Sequence, residues 1–222
     1  MENSLKRFSG EFALLIGMVF NSFGVTIMLK SGFGISCISS LPFVFSEVWP
    51  IFTLGVWNYL FQGFLIVLLC ILTRGIKLGY VLSFVIGVAY GYFMDFFNFL
   101  VKMLPDNIFL NIIYYSIGFF ALCIGMAMLL KCKLPVMPID TFCRDMPGTI
   151  NIQYKYFKTG FDLVCLAATV ILSFIFLGHL EGIGIGTVVS ALLAGKIVSV
   201  IVEKLDQRYY FEPTLIKMKN LV

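Results

Sequence analysis

Long apolar runs, interrupted at short polar or glycine-bearing points, dominate this chain. Six runs approach the roughly 20 residues needed to cross a bilayer as a helix. They cover about 10–29, 52–73, 78–101, 109–130, 157–177 and 183–203. Charge or turn residues separate them, as at Arg74-Gly75-Ile76-Lys77, Lys102 to Asn107, and Gly178 to Gly182. The pattern predicts an all-α fold: a polytopic membrane helical bundle of six transmembrane helices. It forms one membrane domain over 1–222, ending in a short cytoplasmic tail at 204–222.

Composition sharpens this. The 222 residues are 60% hydrophobic and 13% charged, against about 25% charged in an ordinary soluble domain. So little polar surface cannot coat a water-soluble globule, and the lipid bilayer is the first expected partner. Lys6 and Arg7 precede the first run, which raises the question of a signal peptide. Phe12 to Leu29 is long for such a segment and no A-x-A-like cleavage site follows, so a retained span is expected. Placing the N-terminus inside puts 13 of the 16 basic residues on the cytoplasmic side: Lys6, Arg7, Arg74, Lys77, Lys131, Lys133, Arg144, Lys155, Lys158, Lys204, Arg208, Lys217 and Lys219. Only Lys30 and Lys102 fall outside. The positive-inside rule thus places both termini in the cytoplasm. The net charge of +4 reflects that inner face, and no nucleic-acid partner is needed to explain it.

The chain also resembles itself. A slide of 101 residues lays "LLIGMVFNSFGVTIMLK" (14–30) on "YSIGFFALCIGMAMLLK" (115–131), so that Gly17 meets Gly118, Gly24 meets Gly125 and Lys30 meets Lys131. A slide of 104 sets Asn58 on Asp162. It also sets Ser83, Gly87, Gly91 and Asp95 on Thr187, Ala191, Gly195 and Ser199. Each unit holds three spans, an odd number, so the second enters from the opposite side. The expectation is two inverted three-helix repeats, about 10–101 and 109–203, related by a pseudo-two-fold axis in the membrane plane. The small-residue stripes on spans three and six are expected to be helix-packing seams where the halves meet.

Two connections are equivalent in this scheme: "SGFGISCISSLPFVFSEVWP" (31–50) outside and "CKLPVMPIDTFCRDMPGTINIQYK" (132–155) inside. Both are too apolar for wet loops and too broken to span. Gly32 and Gly34 open one, Pro135 and Pro138 the other, and each offers a short helix. They either dip into the membrane against a cavity or lie along its surface. Asp140 is placed to cap the inner helix and to pair with Arg144 four residues on.

Polar groups within spans need partners or water. Asn21, Asn58, Gln62, Asp95, Asp162 and Lys196 are such groups. Each has a structural reading: cross-helix hydrogen bonds for the amides, snorkelling for Lys196, an ion pair with Lys158 for Asp162. The functional reading is a substrate pathway formed by Asn21, Asn58, Asp140, Asp162, Gly184, Gly186, Thr187 and Lys196. Catalytic chemistry finds little support. No paired carboxylates or Ser-His-Asp set appears, His179 stands alone, and the six cysteines form no C-x-x-C. No enzyme, metal or cofactor is expected. "GIGIGTVVSALLAGK" is not a phosphate loop either, because Ile197 follows Gly195-Lys196 where Ser or Thr is required.

Pro138-Ile139-Asp140, followed by Gly184-Ile185-Gly186-Thr187 and then Gly195, resembles the YczE/YyaS/YitT family of bacterial integral membrane proteins. That family carries a proline–x–aspartate element and a late span beginning GxGT. Its usual aromatic between proline and aspartate is Ile139 here, and the soluble C-terminal domain of the YitT members has no counterpart. The resemblance implies a bacterial inner-membrane protein acting as a transporter. Together with the repeat, it makes a small secondary transporter or permease the leading expectation. Its partner would be a small-molecule substrate, with a small anion preferred because helix starts present backbone N–H groups. The alternative is a non-transporting membrane partner or assembly subunit, whose seams would bind a homo-oligomer or another membrane protein.

Overall fold

The computed structural model describes residues 6–75, 78–152, 154–180 and 182–213. Its helices are α1 (Gly10–Lys30), α2 (Cys37–Val48), α3 (Leu54–Thr73), α4 (Leu78–Lys102), α5 (Ile108–Lys131), α6 (Pro138–Thr149), α7 (Tyr154–Leu172) and α8 (Ile185–Asp206). A π-helical turn, Ser173–Leu177, prolongs α7. Six helices are long and apolar enough to cross a membrane: α1, α3, α4, α5, α7 with its π turn, and α8. The expected spans and the helices agree to within a few residues. Lys77 and residues 214–222, with Lys217 and Lys219, lie outside the described residues. So do the side chains of Arg144, Lys155 and Lys158, and with them the expected Asp140–Arg144 and Asp162–Lys158 pairs.

Local chemistry sets several helix ends. Thr53 caps α3 by accepting from Val56 N, and Asn107 caps α5 by accepting from Phe109 N. The two connections contain α2 and α6, of 12 residues each. At 1.5 Å per residue such a helix is about 18 Å long, short of the ~30 Å hydrocarbon core. Ser36 caps α2. Pro138 occupies the first turn of α6, where its fixed φ suits a helix start and its missing N–H costs nothing.

The most extensive helix packing is between α1 and α5. A Cβ added at Gly24 would lie 2.7 Å from Gly118 O and 2.7 Å from Leu122 N. One added at Gly125 would lie 2.7 Å from Asn21 N and 2.9 Å from Gly17 O. Backbones touch there because the four glycines leave no side chain between them, the device by which membrane helices gain packing where no hydrophobic force separates helix from lipid.

From this pair the other helices extend as an open ring. In order it runs α8, α5, α1, α4 and α3, then the short helices α2 and α6, then α7. α7 packs on α2 and α6. Among the described residues α8 has substantial packing only on α5 and on the C-terminal strand. The ring is therefore open between α7 and α8.

β1 (Lys6–Ser9) and β2 (Tyr209–Glu212) pair in parallel, with Phe8 opposite Phe211. Part of the expected tail at 204–222 is thus ordered: α8 runs to Asp206 and β2 follows. Phe211, Ala13, Cys132 and Leu134 form a small core beneath the strands. Lys131 Nζ reaches Asp206 Oδ2 at 2.6 Å, tying the adjacent ends of α5 and α8. The two strands thus lie together on one face, called here the terminal face.

Candidate functional site

A cavity of about 560 Å³ occupies the middle of the open ring, within the 300–1,000 Å³ usual for small-molecule sites. Asn21 of α1, Asn58 and Gln62 of α3, and Tyr90 of α4 form one wall. Ser36 to Ser39 at the start of α2 and Met137, Ile139 and Asp140 at the start of α6 contribute two further edges. Asp162 is the cavity's residue from α7. Apolar side chains of α5 and a stripe of α8 face the amides. The first turns of two short helices from opposite membrane faces thus meet the same space.

The amides are strongly buried: Gln62 is 0%, Asn58 2% and Asn21 7% exposed. Gln62 Nε2 donates to Asn58 Oδ1, one turn away along α3. Tyr90 Oη donates to Asn21 Oδ1 at 3.0 Å. Gln62 Oε1 has no hydrogen-bond donor. On α4, Gly87 makes room for this group, since a Cβ there would lie 3.0 Å from Gln62 Oε1 and 3.0 Å from Pro138 Cδ. Ser83 and Thr141 hydroxyls meet at 3.0 Å and tie α4 to α6. Ser40 and Thr169, also at 3.0 Å, tie α2 to α7.

Away from the terminal face the cavity is shut by a backbone clasp. Gly186 N donates to Phe33 O at 2.8 Å, and Ile35 N donates to Gly182 O at 3.0 Å. Tyr115 Oη donates to Gly186 O at 2.6 Å. Gly184 N donates to Thr187 Oγ1 at 3.2 Å, which holds the turn into α8. Gly34 and Gly182 adopt positive φ, +102° and +72°, conformations that glycine enters without steric penalty. Toward the terminal face the wall continues through Leu129 and Leu130, beside the end of α5, and Val202, one turn from the end of α8. The cavity is therefore closed on one face and continues toward the other.

Of the expected pathway residues, Asn21, Asn58, Asp140 and Asp162 come together. Gly184, Gly186 and Thr187 do not line the cavity; they build the clasp above it. Lys196 is exposed and lies outside the lining. The seams divide likewise. On α4, Gly91 packs on Gly55 and Tyr59 of α3, and Ser83 and Gly87 pack as described. Asp95 accepts from Thr53 Oγ1 at 2.5 Å and from Gly55 N at 2.7 Å, closing the start of α3. On α8 only the first residue of the expected seam, Thr187, is buried. Ala191, Gly195 and Ser199 are exposed and border the cavity, and nothing lies within 4 Å of a Cβ built at Gly195. The two seams do not meet each other; the extensive glycine-lined crossing is between α1 and α5. Small residues every fourth position serve a tight crossing and an open wall equally well, so spacing alone does not separate them.

Two contributors escaped the sequence reading. Tyr90 was not singled out, and an aromatic hydroxyl in an apolar run carries little signal of its own. Gln62 was noted as an intramembrane amide but not placed in the pathway. Among the described residues no cluster of three metal-ligating side chains occurs.

Six spans around an internal cavity define a multi-pass α-helical membrane protein, in contact with the bilayer on its outer faces. The chain belongs to DUF6198, a family of unknown function, whose model matches residues 8–203. No curated protein and no solved structure matches it.

Proposed function

We propose that this protein is a small secondary transporter of the bacterial cytoplasmic membrane, with both termini in the cytoplasm. The observation that carries the reading is the shared cavity, where the first turns of α2 and α6 meet buried amides of α1 and α3. Broken helices starting beside such a site are how transporters present backbone dipoles to substrate.

The inverted repeat belongs to the same proposal. Gly17 corresponds to Gly118 and Gly24 to Gly125, and they touch crosswise: Gly17 with Gly125, Gly24 with Gly118. A two-fold relation exchanges contacts in this way. The short helices are exchanged too, α2 packing on α7 and α6 on α3. The resemblance to the YczE/YyaS/YitT family fits the same picture, because its proline–x–aspartate element lies in the cavity wall and its GxGT forms the clasp. The expected preference for an anion weakens. Helix starts favour negative charge, but Asp140 and Asp162 share the lining and oppose it.

Single cysteines at Asn58 and Ser190, labelled with a membrane-impermeant reagent from each side, test the reading. Modification from the terminal face is expected. Protection of both positions from both faces would sink it.

The alternative, an assembly or regulatory subunit, draws on Lys196. This residue lies midway along the 22-residue α8 and is exposed, and a lysine among acyl chains at that depth is costly. A partner protein would relieve it. Cross-linking between copies through Lys196→Cys would favour that reading.

A further inference from the structure

We infer that the cavity takes an amphipathic solute of no net charge, admitted sideways from the bilayer between α7 and α8. This rests on the transporter reading above and assigns it a substrate class and a route.

The polar end of the site is small and built mainly of neutral amides, with Asp140 and Asp162 on the same lining. Gln62 Oε1 is a buried acceptor without a donor, a costly situation that a ligand's donor would correct. Its neighbours cannot correct it: Gly87 presents only its Cα, and Pro138 has no N–H. Asn58 Oδ1 and Asn21 Oδ1 are each taken up by one neighbour. A hydroxyl or primary amide, which joins a donor to an acceptor in one small head, satisfies this set. Asp140 and Asp162 on the same lining disfavour an anionic head.

The rest of the cavity suits an apolar body. Leu122, Met126 and Leu129 of α5 and Val198 and Val202 of α8 face the amides. The opening between α7 and α8 is flanked by small exposed residues, Ala191, Gly195 and Ser199. Beyond them stand exposed Leu192 and Val200 on α8 and Leu163 and Val164 on α7. Such a rim meets acyl chains, and an amphiphile already dissolved in the bilayer passes it without shedding a hydration shell.

Cys37 lines the cavity and reports on the route. The experiment uses Cys70→Ala protein in phosphatidylcholine vesicles, with pyrene maleimide as lipid-soluble reagent, a sulfonated maleimide as aqueous one, and the neutral amphiphile 1-aminoanthracene as competitor. Pyrene maleimide is expected to modify Cys37 faster than the sulfonated reagent. Gly195→Trp, introduced where there is open space, is expected to slow the lipid-soluble reagent at least several-fold. 1-Aminoanthracene is expected to protect Cys37, and Gln62→Met to weaken protection about ten-fold, as loss of one buried hydrogen bond of roughly 1.4 kcal/mol implies. If Gln62→Met does not fold, Asn58→Leu reads the same site. Equal reaction of the sulfonated reagent with wild type and Gly195→Trp, without protection by 1-aminoanthracene, overturns sideways entry and the amphiphile while leaving transport intact. Failure of both reagents to reach Cys37 overturns the transporter reading as well.

Discussion

Replacing Gly24 by alanine tests the α1–α5 crossing on which the rest of the bundle is hung. In an open helix the change is favourable by about 0.5–1 kcal/mol, because glycine loses more backbone freedom on folding. At Gly24 the added methyl would stand 2.7 Å from both Gly118 O and Leu122 N. Both obstacles are backbone, so no rotamer change relieves them and the helices must separate. Overpacking of this kind costs about 1–3 kcal/mol, leaving a net loss of up to about 2.5 kcal/mol. At roughly 2–4 °C per kcal/mol for a chain of this size, the melting temperature in detergent should fall, by up to about 10 °C. Gly195→Ala is the internal control: the same substitution in another span with nothing within 4 Å, expected to leave the melting temperature unchanged or raise it. Equal behaviour of the two variants in a fluorescence-detected thermal melt would refute the crossing.

Other outcomes follow from single contacts. Asp95→Ala removes the acceptor for Thr53 and Gly55 N and should cost about 1–2 kcal/mol, the upper range for a helix cap; the thermal melt reads it, and Asp95→Asn should retain part of the loss. Burial pushes the Cys132 thiol up to about 11, opposed by hydrogen bonding to the Leu134 backbone and assisted by the nearby Asp140 charge. The folded state therefore holds that proton longer than the unfolded chain, whose ordinary value is 9.0. Its contribution to stability is complete below about pH 9 and is lost as pH rises toward 11. Cys132→Ser should flatten that part of a stability–pH curve, and wild-type Cys132 should resist alkylation at neutral pH.

The spans were legible because bilayer thickness fixes the length of each apolar run, and length survives any uncertainty about packing. The glycines of α1 and α5 stood out in the sequence by their matched spacing but not as a helix crossing, since spacing does not say which positions touch. Three polar residues of the cavity were found for one physical reason: Asn21, Asn58 and Asp162 are too polar for lipid, while Asp140 was marked by its place at the start of a short helix. That criterion also selected Lys196, which the fold leaves exposed. It overlooked Tyr90, whose ring belongs equally to a core. Gly184, Gly186 and Thr187, expected on the substrate pathway, instead build a backbone clasp. The partner is the Phe33–Ile35 segment rather than a solute, a long-range fact that no local pattern carries.

Asp162 and Lys196 lie on the two helices that flank the opening, 8 and 10 residues from their terminal-face ends at Tyr154 and Asp206. At 1.5 Å per residue they sit at similar depth, about 12 and 15 Å. A transporter must close this opening when it exposes the cavity to the other face, and closure brings the two positions together. Oxidative cross-linking of Asp162→Cys with Lys196→Cys, in a background without Cys37 and Cys70, is therefore the most direct test. The transporter account requires a reversible disulfide within one chain, formed even if the closed state is a minor population. Two cysteines that each react with maleimide but never join within a chain would contradict it.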